Sequence, residues 1–148
     1  MNRRRRKKLQ QRLTEAAGRA DVSRVAGLLL DGADPNLPDP GGSTPLYRAS
    51  VQNLAGNVRA LVAAGADPNR ESGAGDEGLP LCGAACWGHA DAVRELLAAG
   101  ADPNRREDQG HGPTAAEWAA LGDHRDTLEL LLTADPSPAP PPSRTAPV

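Results

Sequence analysis

Apolar residues recur along the chain with a helical spacing, and the same arrangement is found in four successive units. In each unit an apolar pair follows another apolar residue by three and four positions, as Leu28 and Leu29 follow Val25. This i, i+3, i+4 spacing places the three side chains on one face of a helix. We therefore predict that the residues of this face are buried between successive units: Val25, Leu29, Val58, Leu61, Val93, Leu96, Leu97, Leu128 and Leu131.

A five-residue string closes each of the first three units. Gly-Ala-Asp-Pro-Asn occurs at residues 32–36, 65–69 and 100–104, with spacings of 33 and 35 residues. Each of these glycines follows an apolar run and suits the left-handed position just beyond a helix end. Repetition with this period indicates a solenoid of stacked units.

An earlier helix with its own start signal precedes each apolar run in the later units. Thr44 and Thr114 are good N-cap residues, and Pro45 suits the first helical position. The apolar pair lies 17 and 18 positions after residues 44, 79 and 114. We therefore predict eight helices and almost no β-sheet. The helices are expected near residues 11–18, 22–31, 45–52, 55–64, 80–87, 90–99, 115–121 and 125–132.

These motifs resemble the ankyrin repeat family, whose pattern is Thr-Pro-Leu-His-x-Ala-Ala, then Gly-His, a Val, a Leu pair and Gly-Ala-Asp-x-Asn. The resemblance covers about residues 11–133 of this chain. It implies an all-α solenoid in which antiparallel helix pairs are joined by hairpin-like fingers. The four implied repeats are residues 11–36, 37–69, 70–104 and 105–133.

The sequence departs from this family pattern at several positions. Leu79 stands where the pattern has its capping Thr, which should cost about 1 kcal/mol in that repeat. Asn53 and Asp123 stand where the pattern has the Gly of the turn, so we expect these turns to be irregular. The His of the first motif is replaced by Tyr47, Cys82 and Glu117.

The resemblance also implies a function, that of a non-enzymatic protein–protein interaction module. Members of the family bind partner proteins through a concave face built from the first helices and the finger tips. Trp87 would either contact the unidentified partner protein or fold over the turn at Gly88 and cover small alanines. The partner-binding residues implied by the family positions are Arg19, Val51, Gln52, Arg70, Glu71, Cys86, Trp87, Arg105, Arg106 and Leu121.

The composition favours thin helical layers. Only 2% of the 148 residues are aromatic and none is Phe, so Ala, Leu and Val must form the core. No stretch approaches the roughly 18 apolar residues of a membrane span, and the N-terminus lacks the apolar core of a signal peptide. Two cysteines are too few for a disulfide framework. We expect a cytoplasmic monomer, with a composition typical of a GC-rich bacterial genome.

The net charge of −2 hides a strong asymmetry along the chain. Residues 1–12 hold seven of the 17 basic residues and no acidic one, whereas the rest of the chain sums to −9. We predict that residues 1–10 are a disordered basic arm. An alternative function is a regulator that contacts nucleic acid or an anionic membrane through residues 3–8. Residues 134–148 contain six prolines and are predicted to be a disordered tail.

Two candidate chemical sites have simpler structural explanations. Residues 73–78 match the phosphate-binding pattern G-x-G-x-x-G, but the acidic residues within the match would repel phosphates. Cys82, Cys86 and His89 could bind zinc on a continuous helix, but His89 falls in a predicted turn. The sequence contains none of the common nucleophile or metalloprotease motifs. We therefore predict that the protein is not an enzyme and has no catalytic, cofactor-binding or metal-binding residue.

Overall fold

The computed structural model describes residues 1–134, which form four antiparallel helix pairs and a short turn of helix between the last two pairs. This confirms the all-α fold expected from the sequence. Within residues 1–134 the single strand-like pairing is a bridge between Ser72 and Gly78. The predicted proline-rich tail lies outside the described residues, apart from Ala134. The helices are α1 (Arg3–Ala17), α2 (Val22–Leu30), α3 (Pro45–Val51), α4 (Ala55–Ala63), α5 (Pro80–Cys86), α6 (Ala90–Ala98), α7 (Glu107–Gly110), α8 (Ala115–Leu121) and α9 (Arg125–Thr133).

The helix pairs are stacked in two layers. The first helices of the pairs, α1, α3, α5 and α8, contact one another in chain order and form the inner layer. The second helices, α2, α4, α6 and α9, contact one another in the same order and form the outer layer. Each pair touches mainly its neighbours, which is the packing of a solenoid.

Capping residues explain where the inner helices begin. Thr44 accepts a hydrogen bond from the backbone N–H of Tyr47 at 3.4 Å, and proline occupies the first turn of α3. Thr114 and Glu117 form a reciprocal capping box at the start of α8. Leu79, at the corresponding position before α5, has no side-chain oxygen and makes no such cap.

The aliphatic core lies between the layers. The residues that begin the four apolar pairs are all buried, and the pairs' second members are more exposed. Successive residues on a helix point about 100° apart, so the first member of each pair faces the core directly, whereas the second members Leu29, Val62 and Leu97 pack at its edge. The prediction of burial was therefore right for Val25, Val58, Leu61, Val93, Leu96 and Leu131. It was wrong for three half-buried residues, Leu29, Leu97 and Leu128, and it omitted the buried Leu28.

The turns at Asn53 and Asp123 are regular, contrary to expectation. Asn53 and Asp123 both have φ of 55°, in the same left-handed region as Gly88 at 70°. Asn and Asp tolerate this region better than most residues because their short polar side chains find local partners. The two non-glycine turns therefore keep the backbone geometry that glycine provides elsewhere.

Histidines in two of these turns join successive inner helices. The Nε2 atom of His89 lies 3.1 Å from the carbonyl oxygen of Val51, and Nε2 of His124 lies 3.0 Å from that of Cys86. The second pair has Leu54 at this position. There the side chain of Asn57 donates instead to the carbonyl oxygen of Ala17 in α1, at 3.0 Å.

Asparagines of the repeated string join successive pairs on the opposite side. The amide of Asn36 donates to the carbonyl oxygen of Gly65 at 2.8 Å, and its Oδ1 accepts from the N–H of Asp67 at 2.7 Å. Asn69 repeats both contacts with Gly100 and Asp102, at 3.1 and 2.8 Å. Each of these side chains thereby holds the following loop in register through backbone atoms alone.

The predicted disordered arm is helical in the structure, which corrects the sequence interpretation. Helix α1 begins at Arg3 and runs without interruption into its buried half, where Leu13 and Ala17 are fully buried. The Oδ1 atom of Asn2 accepts from the N–H of Arg5 at 2.9 Å and caps the helix. Arginine and lysine are good helix formers, and the packed half supplies the nucleus that an isolated arm would lack.

Candidate interaction surface

The candidate surface is built from the C-terminal ends of the inner helices and from the fingers. Val51, Cys86 and Leu121 end α3, α5 and α8 and occupy equivalent positions, 35 residues apart. Their exposure rises along the stack: Val51 and Cys86 are half-buried, whereas Leu121 is 76% exposed. Three apolar side chains thus follow one another along one edge of the inner layer.

Trp87 follows Cys86, the middle residue of this row, in the sequence. It is the C-terminal cap of α5, and 65% of its surface is exposed. The turn next to it is held by the bond between His89 and the carbonyl oxygen of Val51. With most of its indole in contact with solvent, Trp87 contributes little to the core of residues 1–134.

Arg19 and Gln52 lie beside a small polar cleft at the N-terminal end of the surface. The cleft has a volume of about 200 Å³ and lies between the end of α1, the first finger (residues 37–43) and α3. Both residues are exposed. The other lining residues are Thr14, Glu15, Gly18, Asp39 and Arg48. Two arginines and two carboxylates therefore face this cleft.

The fingers contact one another as well as their own helices. The finger at residues 70–79 is a small hairpin in which Ser72 and Gly78 exchange backbone hydrogen bonds of 2.8 and 3.0 Å. The N–H of Gly73 donates to the carbonyl oxygen of Gly42 in the preceding finger at 2.9 Å. The tip of the third finger is instead α7, a left-handed turn with φ of 49° and 54° at its two central residues. The second finger is therefore a hairpin, whereas the tip of the third finger (residues 105–113) is not.

Four of the predicted site residues share one polar cleft between the second and third fingers. Arg70, Glu71, Arg105 and Arg106 line this cleft, which has a volume of about 690 Å³. The carboxylate of Glu71 accepts from the backbone N–H of Gln109 at 3.2 Å and joins the two fingers. Arg70 and Arg105 are exposed, so their charges lie at the rim of the surface.

Arg106 is engaged within the chain. Its guanidinium forms a forked pair with the carboxylate of Glu117, with distances of 3.0 and 2.8 Å, and also donates to the carbonyl oxygen of Gly112. This pairing raises the pKa of Arg106 and lowers that of Glu117. Arg106 therefore shapes the base of the third finger and is less free to meet a partner than Arg105.

A buried carboxylate that sequence reasoning missed organises the base of the same finger. Glu107 is only 8% exposed. Its Oε1 accepts from the backbone N–H of Leu79 at 3.0 Å, and its Oε2 accepts from the indole Nε1 of Trp118 at 2.8 Å. Gly78 leaves the space for this carboxylate, because a Cβ there would collide with it. Glu107 thus binds the N–H at the start of α5, where Leu79 lacks a capping side chain.

The environment of this carboxylate makes the nearby groups poor nucleophiles. Burial, together with the negative charge of Glu107, raises the pKa of the Cys82 thiol. Burial, with the carboxylates of Glu77 and Glu107, raises the pKa of Tyr47 to about 12. Both groups are therefore protonated at neutral pH, and neither is poised for covalent chemistry.

The alternative sites considered from the sequence have structural roles here. His89 is directed to the carbonyl oxygen of Val51, away from a shared site with the two cysteines. Residues 1–134 contain no group of three His, Cys, Asp or Glu side chains arranged to hold a metal ion. Residues 73–78 form the hairpin tip, which is followed by α5 without a preceding strand. None of the helices described is long and apolar enough to span a bilayer.

Comparison with known families gives the class of the protein. The family described as ankyrin repeat matches residues 79–108, which comprise α5, α6 and the loop that follows as far as Asp108. No curated protein matches the chain. Residues 79–108 thus match an ankyrin repeat, and the helical fold of residues 1–134 is consistent with an ankyrin repeat protein. Ankyrin repeats are in general non-enzymatic modules for protein–protein interaction. The match covers one helix pair, so the number of repeats and the bacterial source stay predictions.

Proposed function

We propose that this protein binds a partner protein through the surface formed by the ends of α3, α5 and α8 and by the second and third fingers. The observation that carries this proposal is the exposure of Trp87 and Leu121, at 65% and 76%, at the C-terminal ends of the successive inner helices α5 and α8. Large apolar side chains at adjacent positions are costly to leave in water and are typical of binding sites. No catalytic role is proposed.

The proposed surface has an apolar centre and a charged rim, as many protein interfaces do. Trp87, Leu121 and the partly buried Val51 would form its apolar centre, where most of the binding energy resides. Arg70 and Arg105 would form a charged rim, which mainly sets the rate of encounter and the choice of partner. Gln52 and Arg19 would extend the contact toward the polar cleft at α1.

The test compares two variants of the full chain, in each of which one exposed apolar side chain is truncated to alanine. The partner is first captured from an extract of the source organism and identified by mass spectrometry, and its affinity is then measured by calorimetry. Trp87→Ala should weaken binding by more than about 2 kcal/mol and leave the melting temperature unchanged. Leu132→Ala is the control, because Leu132 is 69% exposed but lies on the outer layer. This variant should change neither the affinity for the partner nor the melting temperature.

Two results would overturn the proposal. The first is a large loss of stability in Trp87→Ala with the affinity of the folded fraction preserved, which would assign the indole to the core. The second is equal weakening by both variants, which would place the partner elsewhere on the molecule. A partner bound through the inner layer should also protect the amides of residues 50–52 and 85–88 from hydrogen exchange.

A further inference from the structure

The first part of α1 is a separate structural feature from the proposed partner surface. Gln10 anchors the helix to the repeats: it is buried, and its side chain bonds the backbone of Asp34 and the carbonyl oxygen of Leu37. Before Gln10 the helix continues toward the N-terminus, and residues 3–8 are all exposed. We call residues 3–8 the arm helix. Its sequence is Arg-Arg-Arg-Arg-Lys-Lys.

Within residues 1–134 no carboxylate forms an ion pair with the arm helix. The ion pairs formed within residues 1–134 join Arg59 to Glu95, Arg94 to Asp91, Arg106 to Glu117 and Arg125 to Asp123. None involves the arm helix or Arg12. The cleft beside α1, of about 810 Å³, is lined by five basic residues and a single acidic one, Asp31. The arm helix therefore presents six cations to an external anion.

The distribution of these cations around the helix favours a partner with phosphates on two sides over a flat anionic surface. Six consecutive residues at 100° per residue distribute their side chains around the whole circumference of the helix. A flat membrane would meet only about half of them, and the arm helix has no apolar face to insert into lipid. A groove with phosphates on both sides can meet nearly all of them. The major groove of duplex DNA is about 12 Å wide and admits an α-helix.

We propose that the arm helix binds duplex DNA through its phosphates, with its axis in the major groove and without selectivity for base sequence. The chain beyond residue 12 has a net charge of −9, so it is repelled by the duplex and binding is confined to the arm. This second binding site is separate from the partner surface, since the arm helix belongs to the first helix pair and Trp87 to the third. The helix is already formed, so little ordering entropy opposes binding.

The experiment measures binding of the full chain to a fluorescent 20-base-pair duplex by anisotropy between 50 and 200 mM salt. About six phosphate contacts predict a log–log salt slope near −5 and a loss of about 10³-fold in affinity over this range. Replacing residues 3–6 by Gln, which keeps the helix, should reduce the slope to near −2 and weaken binding at 50 mM salt by at least 50-fold. Circular dichroism and thermal melting check that this variant folds.

The matched control removes four exposed arginines from the outer layer, one from each outer helix: Arg24, Arg59, Arg94 and Arg125→Gln. It changes the net charge equally and should leave affinity and slope within twofold of the parent. Equal losses in the two variants would overturn the proposal, because net charge alone would then account for binding. Tighter binding of the parent to phosphatidylserine vesicles or to polyglutamate than to the duplex would overturn it as well.

Discussion

The indole Nε1 of Trp118 donates a hydrogen bond of 2.8 Å to the carboxylate of Glu107, and the two residues are eleven positions apart. The other carboxylate oxygen accepts from the N–H of Leu79, twenty-eight positions earlier. One side chain thus connects the third inner helix, the third finger and the fourth inner helix. The last helix pair is held to the rest of the stack partly through this side chain.

Removal of this carboxylate should destabilise the fold. Glu107→Ala leaves the N–H of Leu79 and the indole N–H of Trp118 without their acceptor, and each buried unpaired donor costs about 1–3 kcal/mol. We expect a decrease of about 2–4 kcal/mol in the free energy of unfolding, measured by urea denaturation. Glu129→Ala, an exposed carboxylate on α9, should change it by less than about 0.5 kcal/mol. Similar effects of the two changes would contradict the assigned role.

The same carboxylate should give stability a specific pH dependence. Burial is the main cause that raises the pKa of Glu107 above its ordinary value of 4.5. In the unfolded chain the group therefore loses its proton first, and the folded state is favoured while Glu107 remains protonated. This contribution is lost as the pH rises through the folded pKa. Between pH 4.5 and neutral pH the parent should therefore lose stability relative to Glu107→Gln. A gain of stability by the parent relative to this variant over the same range would refute the sign.

Two glycines within helices should respond in opposite directions to alanine. At Gly83 a Cβ would lie 2.8 Å from Val51 and 2.9 Å from Tyr47, so α3 and α5 approach closely there. Gly83→Ala should cost about 1–3 kcal/mol through overpacking. Gly27 has nothing within 4 Å of a Cβ, and Gly27→Ala should stabilise by about 0.5–1 kcal/mol. Melting curves that rise for both would show that the two helices are not in close contact.

Truncation of the central outer helix should disrupt the stack. Leu96 is fully buried in α6 between the second and fourth pairs. Leu96→Ala should cost about 2–5 kcal/mol, as a large-to-small change at a well-packed site does. Leu97→Ala, the neighbouring half-buried leucine, should cost less. A melting temperature that is unchanged in Leu96→Ala would mean that the register of the repeats is wrong.

The helix pairs could be predicted from the sequence because their signals are local. Apolar spacing, N-cap residues and glycines each act within a few positions, and they located eight helices to within a few residues apart from the start of α1. The sequence did not show which leucine of a pair is buried, since Leu28 and Leu29 differ only in their direction on the helix. It also did not show that the arm is helical, because charge alone does not reveal whether a packed helix continues into it.

The contacts at the base of the third finger could not be predicted because they join distant positions. Nothing in the pattern around Glu107 distinguishes it from the exposed acidic residues near it. The backbone N–H that precedes each inner helix needs an acceptor, as those of Thr44 and Thr114 find in Ser72 and Glu117, but the sequence does not show which residue accepts from Leu79. The glycine at position 78 was a signal, since it leaves space beside that N–H. The role of the exposed site residues stays a prediction, because exposure alone does not identify a partner.

The asparagine bridges have a consequence for how this chain can change over generations. Asn36 and Asn69 meet only the backbone of the following loop, at a glycine and at the second residue after it. The hydrogen bonds of each asparagine therefore do not depend on the side chains of the following unit. A unit that is duplicated, exchanged or deleted can still form the same two hydrogen bonds, because every such unit offers the same backbone carbonyl oxygen and N–H. The residues on its exposed surface can meanwhile diverge without disturbing the junction.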